Sequence, residues 1–133
     1  MDRFVKQVEI EKVLEKVAHD FNLTYYLFVD NPVPSLNETM IKFHSAVLIV
    51  APHDAGLSNM LFSQPGTYLL EAVYVPYPNL CFARTAHILG HRYHGLLHKH
   101  EPGFTYNKEV SVSVDKIDEM ARKFLTARQA RAV

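Results

Sequence analysis

The stretch AVLIVAPHDAGLSNMLF, residues 46–62, decides the fold of this chain. Its apolar, β-branched part at 47–50 predicts a strand buried on both faces, and Pro52 ends that strand because proline cannot donate to a sheet ladder. A short turn follows, and Gly56 opens a run at 57–62 that predicts a helix. Backbone N–H groups and the positive end of the helix dipole then point at the turn, which favours phosphate binding.

The ligand that this turn suggests is the diphosphate of a nucleotide-linked substrate. The alternative is a turn that only connects a strand to a helix, since most turns of this kind bind nothing. A lone Gly56 is a weaker signal than a Gly-x-Gly-x-x-Gly fingerprint or a Walker-type loop, and the sequence contains neither. The residues by themselves therefore leave both interpretations open.

The composition is that of one ordinary globular domain. Of the 133 residues, 48% are hydrophobic and 21% are charged. Lys plus Arg equals Asp plus Glu, at 14 each, so no net charge attracts nucleic acid. No apolar run is as long as a membrane span, and the N-terminus lacks a signal-peptide pattern. We expect a single domain over residues 1–133, with neither nucleic acid nor a membrane as a partner of this segment.

The hydrophobic period alternates several times between helical and strand-like spacing. Helices are predicted over residues 4–18, 36–44, 57–62, 79–89 and 115–130. Strands are predicted over residues 23–29, 46–51, 67–73 and 92–98, with a breaker at 30–34 and a polar loop at 99–108. Strands that alternate with helices indicate parallel pairing through right-handed crossovers, so the expected fold is a three-layer, Rossmann-like α/β domain with a mostly parallel sheet.

Local signals mark the ends of several predicted elements. Ser35 with Glu38 three residues on fits a capping box, and Gly90 is expected to end the helix before it. Asp115 is expected to cap the last helix. The single cysteine, Cys81, lies inside a predicted helix and is expected to be a buried, inert thiol.

Ligands of such sheets sit beyond the carboxyl ends of the strands. The turn from Pro52 to Gly56 lies at that edge, and Glu71 is expected near the end of the next strand. These positions are the first candidates for a binding site.

Histidines cluster in the second half of the chain, at His87, His91, His94, His98 and His100. If 92–98 is a strand, His94 and His98 share one face. A metal site also needs converging geometry and usually a carboxylate or thiolate, and no His-Glu-x-x-His or Cys-x-x-Cys pattern occurs. Surface and core histidines explain the cluster better, so no metal is expected, and a histidine-based metal-binding protein is the weakest alternative.

Three segments, APHDAGLSNMLF, QPGTYLLEAV and NLCFARTAHILGHRYHGL, resemble the C-terminal half of glycosyltransferase family 61. The family hallmark Pro-His-Gly-Ala-Gly-Leu-Thr/Ser-Asn corresponds to residues 52–59. A Leu-Phe pair, a Pro-Gly turn and a strand ending in Glu follow in the family, as they do here at 61–62, 65–66 and Glu71. Order and spacing hold over residues 43–97, with weaker likeness towards both ends of the chain.

The resemblance implies a GT-B enzyme, with two Rossmann-like domains facing each other across a cleft. It implies inverting transfer of a sugar, of the N-acetylglucosamine or xylose class, from a UDP-sugar to a hydroxyl of a protein or glycan. This chain would be the C-terminal, donor-binding half, and an N-terminal domain of the same fold would be its partner. No metal cofactor is implied, and the family suggests the lumen of the ER or Golgi. By itself the chain is expected not to transfer sugar.

The resemblance also implies which residues bind the donor. They are Pro52, His53, Asp54, Ala55, Gly56, Leu57, Ser58, Asn59 and Glu71. His53 would stabilise the leaving diphosphate by donating a hydrogen bond, unless it only orients the turn through backbone carbonyls. Glu71 would face the ribose hydroxyls, unless it is an ordinary capping or salt-bridging residue.

Two departures from the family pattern bear on activity. The family glycine is Asp54 here, which brings a negative charge to the place where a diphosphate would lie. The chain also covers one domain, whereas the base that deprotonates the acceptor can come from the other. The alternative to a working transferase half is therefore a non-catalytic nucleotide-binding or interaction module with the same fold.

Overall fold

A computed structural model of the chain describes residues 3–29, 31–99 and 109–131. Its helices are α1 (Gln7–Asp20), α2 (Leu36–Ser45), a 3-10 helix (Ala55–Phe62), α3 (Cys81–Leu89) and α4 (Val114–Arg131). Its strands are β1 (Arg3–Phe4), β2 (Leu48–Pro52), β3 (Tyr68–Tyr74), β4 (Arg92–His98) and β5 (Glu109–Val110). Asp30 and all but the first residue of the predicted loop 99–108 lie outside the described residues.

The main sheet has three parallel strands in the order β2-β3-β4, and β1 pairs with β5 separately. Its two faces are covered by different helices. Leu70, Ala72 and Leu96 pack against a cluster that includes residues of α1 and α4. On the other face, Leu69 packs with Leu57 and Met60 of the 3-10 helix and with Ala86 of α3. The predicted Rossmann-like α/β fold, with helices on both faces, is confirmed.

Burial differs between β2 and β3 in a way that the sequence analysis misjudged. Every residue of β2 is half-buried, whereas six of the seven residues of β3 are buried. The expectation that the strand at 47–50 is buried on both faces is therefore wrong. The reason is position, because β3 lies between two strands of this sheet and β2 lies at its edge.

The segment 23–29 was predicted as a strand, and within the described residues it pairs with no other strand. Its side chains pack on α2 instead. The ring of Phe28 lies edge-on to that of Phe43 at 5.3 Å, and the Lys42 ammonium lies 4.4 Å above the ring of Tyr26. The β propensity of LTYYLFV thus produced a segment without a partner strand.

Element ends follow the local signals in most places. Ser35 and Glu38 form the predicted capping box on α2, and Gly90 ends α3 in the left-handed conformation at φ 74°. The predicted cap of the last helix is wrong. The hydroxyl of Ser113, rather than Asp115, accepts the N–H of Lys116, because α4 begins at Val114 and Asp115 already lies in its first turn.

Candidate functional site

The loop after β2 is held in shape by its own backbone and one side chain. The Leu57 N–H donates to the Asp54 carbonyl at 3.0 Å, and the Asn59 side-chain amide donates to the Gly56 carbonyl at 3.0 Å. The helix that follows is a 3-10 helix over Ala55–Phe62, so the helix predicted at 57–62 starts earlier and is wound more tightly.

Two buried side chains anchor this 3-10 helix to the sheet. Leu57 and Met60 are buried, and both pack in the cluster that contains Leu69 of β3. The far end is tied to α2, because the Ser63 hydroxyl donates to the Phe43 carbonyl at 2.8 Å. The loop at 52–59 is therefore fixed at both ends and stands at the carboxyl end of β2, where the sequence placed it.

A buried carboxylate lies beneath this loop. Glu71 stands in the middle of β3, with Ala51 and Gly95 as its neighbours on the adjacent strands, and its side chain is 0% exposed. Its Oε2 lies 2.7 Å from Nδ1 of His53, and its Oε1 accepts the Tyr93 hydroxyl at 2.5 Å. Three residues from three segments thus form one hydrogen-bonded group, which we call the His–Glu–Tyr group.

The His53 ring is held on a second side by an aromatic ring. Its centroid lies 5.1 Å from that of Phe82 in α3, at an interplanar angle of 51°. The His53 side chain remains 38% exposed. No described residue forms a hydrogen bond with its Nε2 atom. The imidazole is therefore partly open to a ligand while its inner nitrogen is occupied.

Tyr93 is the clear hydrogen-bond donor in the His–Glu–Tyr group. Burial, the hydrogen bond to Glu71 and the charge of that carboxylate all raise the pKa of Tyr93 far above its usual range. The hydroxyl therefore keeps its proton at any physiological pH and points it at Glu71.

A cavity of about 720 Å³ opens on the other side of the loop. Its wall includes Pro52, Asp54, Gly56 and Leu57, together with the segment 23–29 and strand β2. Neither His53 nor Glu71 lines it. The volume is in the range of small-molecule pockets. The structure thus separates the predicted binding residues into a cavity side, with Asp54 and Gly56, and a sheet side, with His53.

The remaining predicted residues take three kinds of position. Ala55 and Ser58 are exposed on the 3-10 helix, and the Asn59 amide nitrogen is used within the loop. Glu71 was expected near the end of its strand. It lies in the middle of the strand, which continues for three residues beyond it, and it is fully buried. Its assignment to the donor site stays a prediction.

Asp54 adopts a backbone conformation that needs no glycine. Its φ of −155° and ψ of 149° are extended, so aspartate at the position of the family glycine causes no backbone strain. It occupies the N-cap position of the 3-10 helix, yet its side chain makes no capping hydrogen bond. The contacts of Asp54 therefore give its side chain no role as a helix cap.

The clustered histidines serve separate contacts. His91 Nε2 lies 3.3 Å from the Ser63 carbonyl oxygen, the His94 ring meets Phe124, and the His98 ring meets Tyr74. Among the described residues, no three His, Cys, Asp or Glu side chains converge as a metal site would require. His100 lies outside the described residues. Cys81 is exposed at the start of α3, so the expectation of a buried thiol is wrong.

Tyr93 is the site residue that the sequence analysis missed. A usable signal was present, since Glu71 is a single charged residue inside the apolar strand YLLEAVY and a buried charge requires partners. A tyrosine on a neighbouring parallel strand is a natural donor for it. Its pairing could not be read from spacing, because the register that sets Tyr93 opposite Leu69 follows from the crossover helix.

With the fold and the loop in view, comparison with known proteins gives the class of the chain. The family Glycosyltransferase 61 matches residues 3–70, which is just over half of the 133 residues. The chain belongs to this glycosyltransferase family. The match includes the whole loop 52–59 and stops before Glu71 and Tyr93. No curated protein and no solved structure matches the chain.

The family match can be compared with the segment in which the sequence resembles the family. Residues 43–70 of the segment that resembles the family lie inside it, and so do the N-terminal residues where the likeness was weaker. Residues 71–97 lie outside it. As a separate finding, none of the described helices has the length and apolar character needed to cross a membrane.

Proposed function

We propose that this chain is the donor-binding half of an inverting glycosyltransferase. It would bind a UDP-sugar, of the N-acetylglucosamine or xylose class, and the sugar would pass to a hydroxyl of a protein or glycan. The observation that carries the proposal is the family match across the loop 52–59, which stands at the carboxyl end of a parallel strand. In a GT-B enzyme the acceptor and a second domain would complete the cleft.

The chemistry of this transfer depends on charge that develops on the leaving diphosphate. A hydrogen-bond donor placed in advance at that position stabilises the transition state more than the ground state. His53 is the residue of the loop that can supply such a donor, because its side chain is partly exposed and its Nδ1 atom alone is held by Glu71. Backbone N–H groups at the start of the 3-10 helix would add to it. No metal is part of the proposal.

Asp54 favours a second candidate function. Residues 52–62 contain no lysine or arginine and one aspartate, so the loop has little permanent attraction for a diphosphate. A non-catalytic nucleotide-binding or interaction module of the same fold would have this composition. The two candidates differ in whether a complete enzyme that contains this chain transfers sugar.

Titration of the 15N-labelled chain with UDP tests the binding step. We expect the backbone amide signals of residues 53–59 to shift, and those of α4 to remain unchanged. Uridine is the matched control ligand, because it lacks the diphosphate and should leave the loop unaffected. A lack of shifts at millimolar UDP, or equal shifts with uridine, would overturn the proposal.

A further inference from the structure

Burying the Glu71 carboxylate is unfavourable for folding, and few groups contact it. Removing an ionised carboxylate from water is unfavourable unless the group is paired and hydrogen-bonded. Within the described part of the chain, the cation-forming residue in contact with Glu71 is His53, at 2.7 Å. No lysine or arginine of that part lies in ion-pair contact with it. A group that served packing alone would be better replaced by an apolar side chain.

The positions of the protons follow from the geometry. Tyr93 donates to Oε1 of Glu71, so this oxygen is occupied as an acceptor. The other oxygen, Oε2, then accepts the proton on Nδ1 of His53. Nδ1–H is the less common tautomer of a free neutral imidazole, and a hydrogen bond at one ring nitrogen decides the state of the other. Nε2 is left as the atom that meets a ligand, and it can donate to a phosphate oxygen when the ring carries a proton on both nitrogens.

We infer that Glu71 and Tyr93 are positioning residues, which hold the His53 ring by Nδ1 so that Nε2 faces the diphosphate of the donor. This inference rests on the proposed function and deepens it. Glu71 does not contact the ribose in this assignment, since its side chain is fully buried and both its oxygens are occupied. Tyr93 acts one step further away, by fixing the carboxylate.

The diphosphate is assigned as the ligand because His53 is the residue of the loop that can carry a positive charge. The groups that face His53 are Glu71 from β3, Tyr93 behind it from β4, the uncharged ring of Phe82 from α3, and Asp54 as the next residue in the loop. Cys81, which acts on the pKa of Tyr93, is the other titratable group nearby. When His53 is protonated, it gives the loop a positive charge. Its ring would then lie between the buried Glu71 carboxylate and a phosphate oxygen of the donor.

The first test reads the His53 ring without any ligand. In the 15N-histidine-labelled chain, long-range proton–nitrogen spectra report which ring nitrogen carries the proton. We expect His53 to be protonated at Nδ1 at a pH where the ring is neutral. His19 is the internal reference, because it is exposed beside the exposed Asp20 and should show the averaged tautomers of a free imidazole. An averaged His53 signal would overturn the inference.

The second test removes the buried polar pair while keeping the core filled. In the double variant Glu71→Met/Tyr93→Phe, both partners become apolar groups of similar size, which is often neutral for folding. We expect wild-type thermal stability, a His53 ring with averaged tautomers, and UDP binding weaker by on the order of tenfold, as measured by calorimetry. His19→Gln is the control and should bind UDP as the wild type does.

The outcomes separate this inference from the proposed function. If UDP binds equally to the wild type and the folded double variant, the inference is wrong and the donor site stands. If the wild type shows the fixed tautomer and no variant binds UDP, the proposed function fails and so does the ligand assigned to Nε2. Should the double variant not fold, Tyr93→Phe alone decides, with an expected two- to tenfold loss of affinity from the freed carboxylate. Unchanged affinity in Tyr93→Phe would then overturn its positioning role.

Discussion

Two histidines of this molecule lie beside carboxylates, and the two pairs differ in almost every physical respect. His53 and Glu71 are 2.7 Å apart, with side chains 38% and 0% exposed. His19 and Asp20 are 3.7 Å apart, with side chains 90% and 37% exposed. The first pair joins the loop after β2 to the middle of β3, across 18 residues. The second joins neighbouring residues at the end of α1.

The comparison teaches that the environment, rather than the residue types, decides what such a pair does. An exposed pair is screened by water and salt and contributes little. A pair with a buried carboxylate fixes a ring, because the carboxylate has no alternative partner in solvent. Asp20 also contacts Arg122 at 2.9 Å, and this hydrogen bond lowers the pKa of Asp20. The exposed carboxylate thus has another cation, and His19 is dispensable to it.

The largest expected effect comes from removing each histidine in turn. His53→Ala leaves Oε2 of the buried Glu71 carboxylate without its hydrogen-bond donor, and breaking a fully buried pair in this way costs about 3–5 kcal/mol. Because His53 is 38% exposed and water can enter, we expect the free energy of unfolding to fall by about 2 kcal/mol. His19→Ala should change it by less than about 0.5 kcal/mol. Urea unfolding at pH 7 measures both, and equal losses would contradict the comparison.

The next effect concerns the second carboxylate of the loop. An ionised Asp54 about 4 Å from a phosphate oxygen opposes binding by on the order of 1 kcal/mol in water, and by more in a partly desolvated cleft. We expect Asp54→Gly to tighten UDP binding by roughly tenfold, as measured by calorimetry. Asp54→Asn is the control that removes the charge and keeps the side-chain shape, so it should show most of the gain.

Stability distinguishes this prediction from a structural role of Asp54. Its side chain makes no capping hydrogen bond, so Asp54→Asn should leave the urea midpoint unchanged. Weaker binding together with a clear loss of stability would mean that Asp54 holds the loop. The site would then be a relic of a donor pocket rather than a working one.

Much of the fold could be predicted from sequence because its signals are local. The capping box at Ser35 and the glycine at Gly90 act within one helix turn. Strand β4 was predicted with its observed ends, at Arg92–His98. The failures are non-local. Whether 23–29 pairs with β2 depends on how α1 and α2 place it, and β propensity does not contain that information.

The candidate site divides in the same way. The position of the loop 52–59 at a strand's carboxyl end follows from the order of elements, and it was predicted. The partnership of His53 with Glu71 depends on the parallel register of β2 and β3, in which Ala51 stands opposite Glu71. The contribution of Tyr93 depends on a further register, between β3 and β4. No spacing within one segment reveals either contact.

A smaller effect on stability is expected from replacing two glycines, one on the sheet side of the loop 52–59 and one on its cavity side. A Cβ on Gly95, which stands opposite Glu71, would lie 3.1 Å from Val73 Cγ2, whereas a Cβ on Gly56 would meet only ordinary contacts, at 3.7 Å or more. We expect Gly95→Ala to cost about 1 kcal/mol through crowding. Gly56→Ala should be neutral or stabilising by a few tenths of a kcal/mol, because it restricts the unfolded chain.

Urea unfolding of the two glycine variants measures the change in the free energy of unfolding for each. The tautomer of His53 in Gly95→Ala adds a second measure, since crowding beside Tyr93 and Val73 should disturb the group that holds the ring. If Gly56→Ala is the more destabilising variant, the loop is packed more tightly on its cavity side than on its sheet side. The division of the site into those two sides would then be wrong.

The smallest effect involves a third histidine, which has lysines rather than a carboxylate around it. Burial lowers the pKa of His94, and the charges of Lys116 and Lys123 lower it further. The unfolded chain therefore takes up this proton more readily than the folded chain does. The stability contributed by a neutral His94 is complete above pH 6.5 or so, and it is lost as the pH falls from there through the lower pKa of the folded state.

His94→Gln should make the unfolding free energy less sensitive to acid between pH 7.5 and pH 5. Because the ring is only partly enclosed, we expect a difference from wild type below about 0.5 kcal/mol. His19→Gln is the matched control, since it removes an exposed imidazole ring. A steeper profile in His94→Gln would mean that the protonated ring is stabilised in the fold. The lysines of α4 would then not determine the pKa of His94. The conclusion drawn from His53 and His19, that neighbouring groups decide the state of each ring, would not hold for this third histidine.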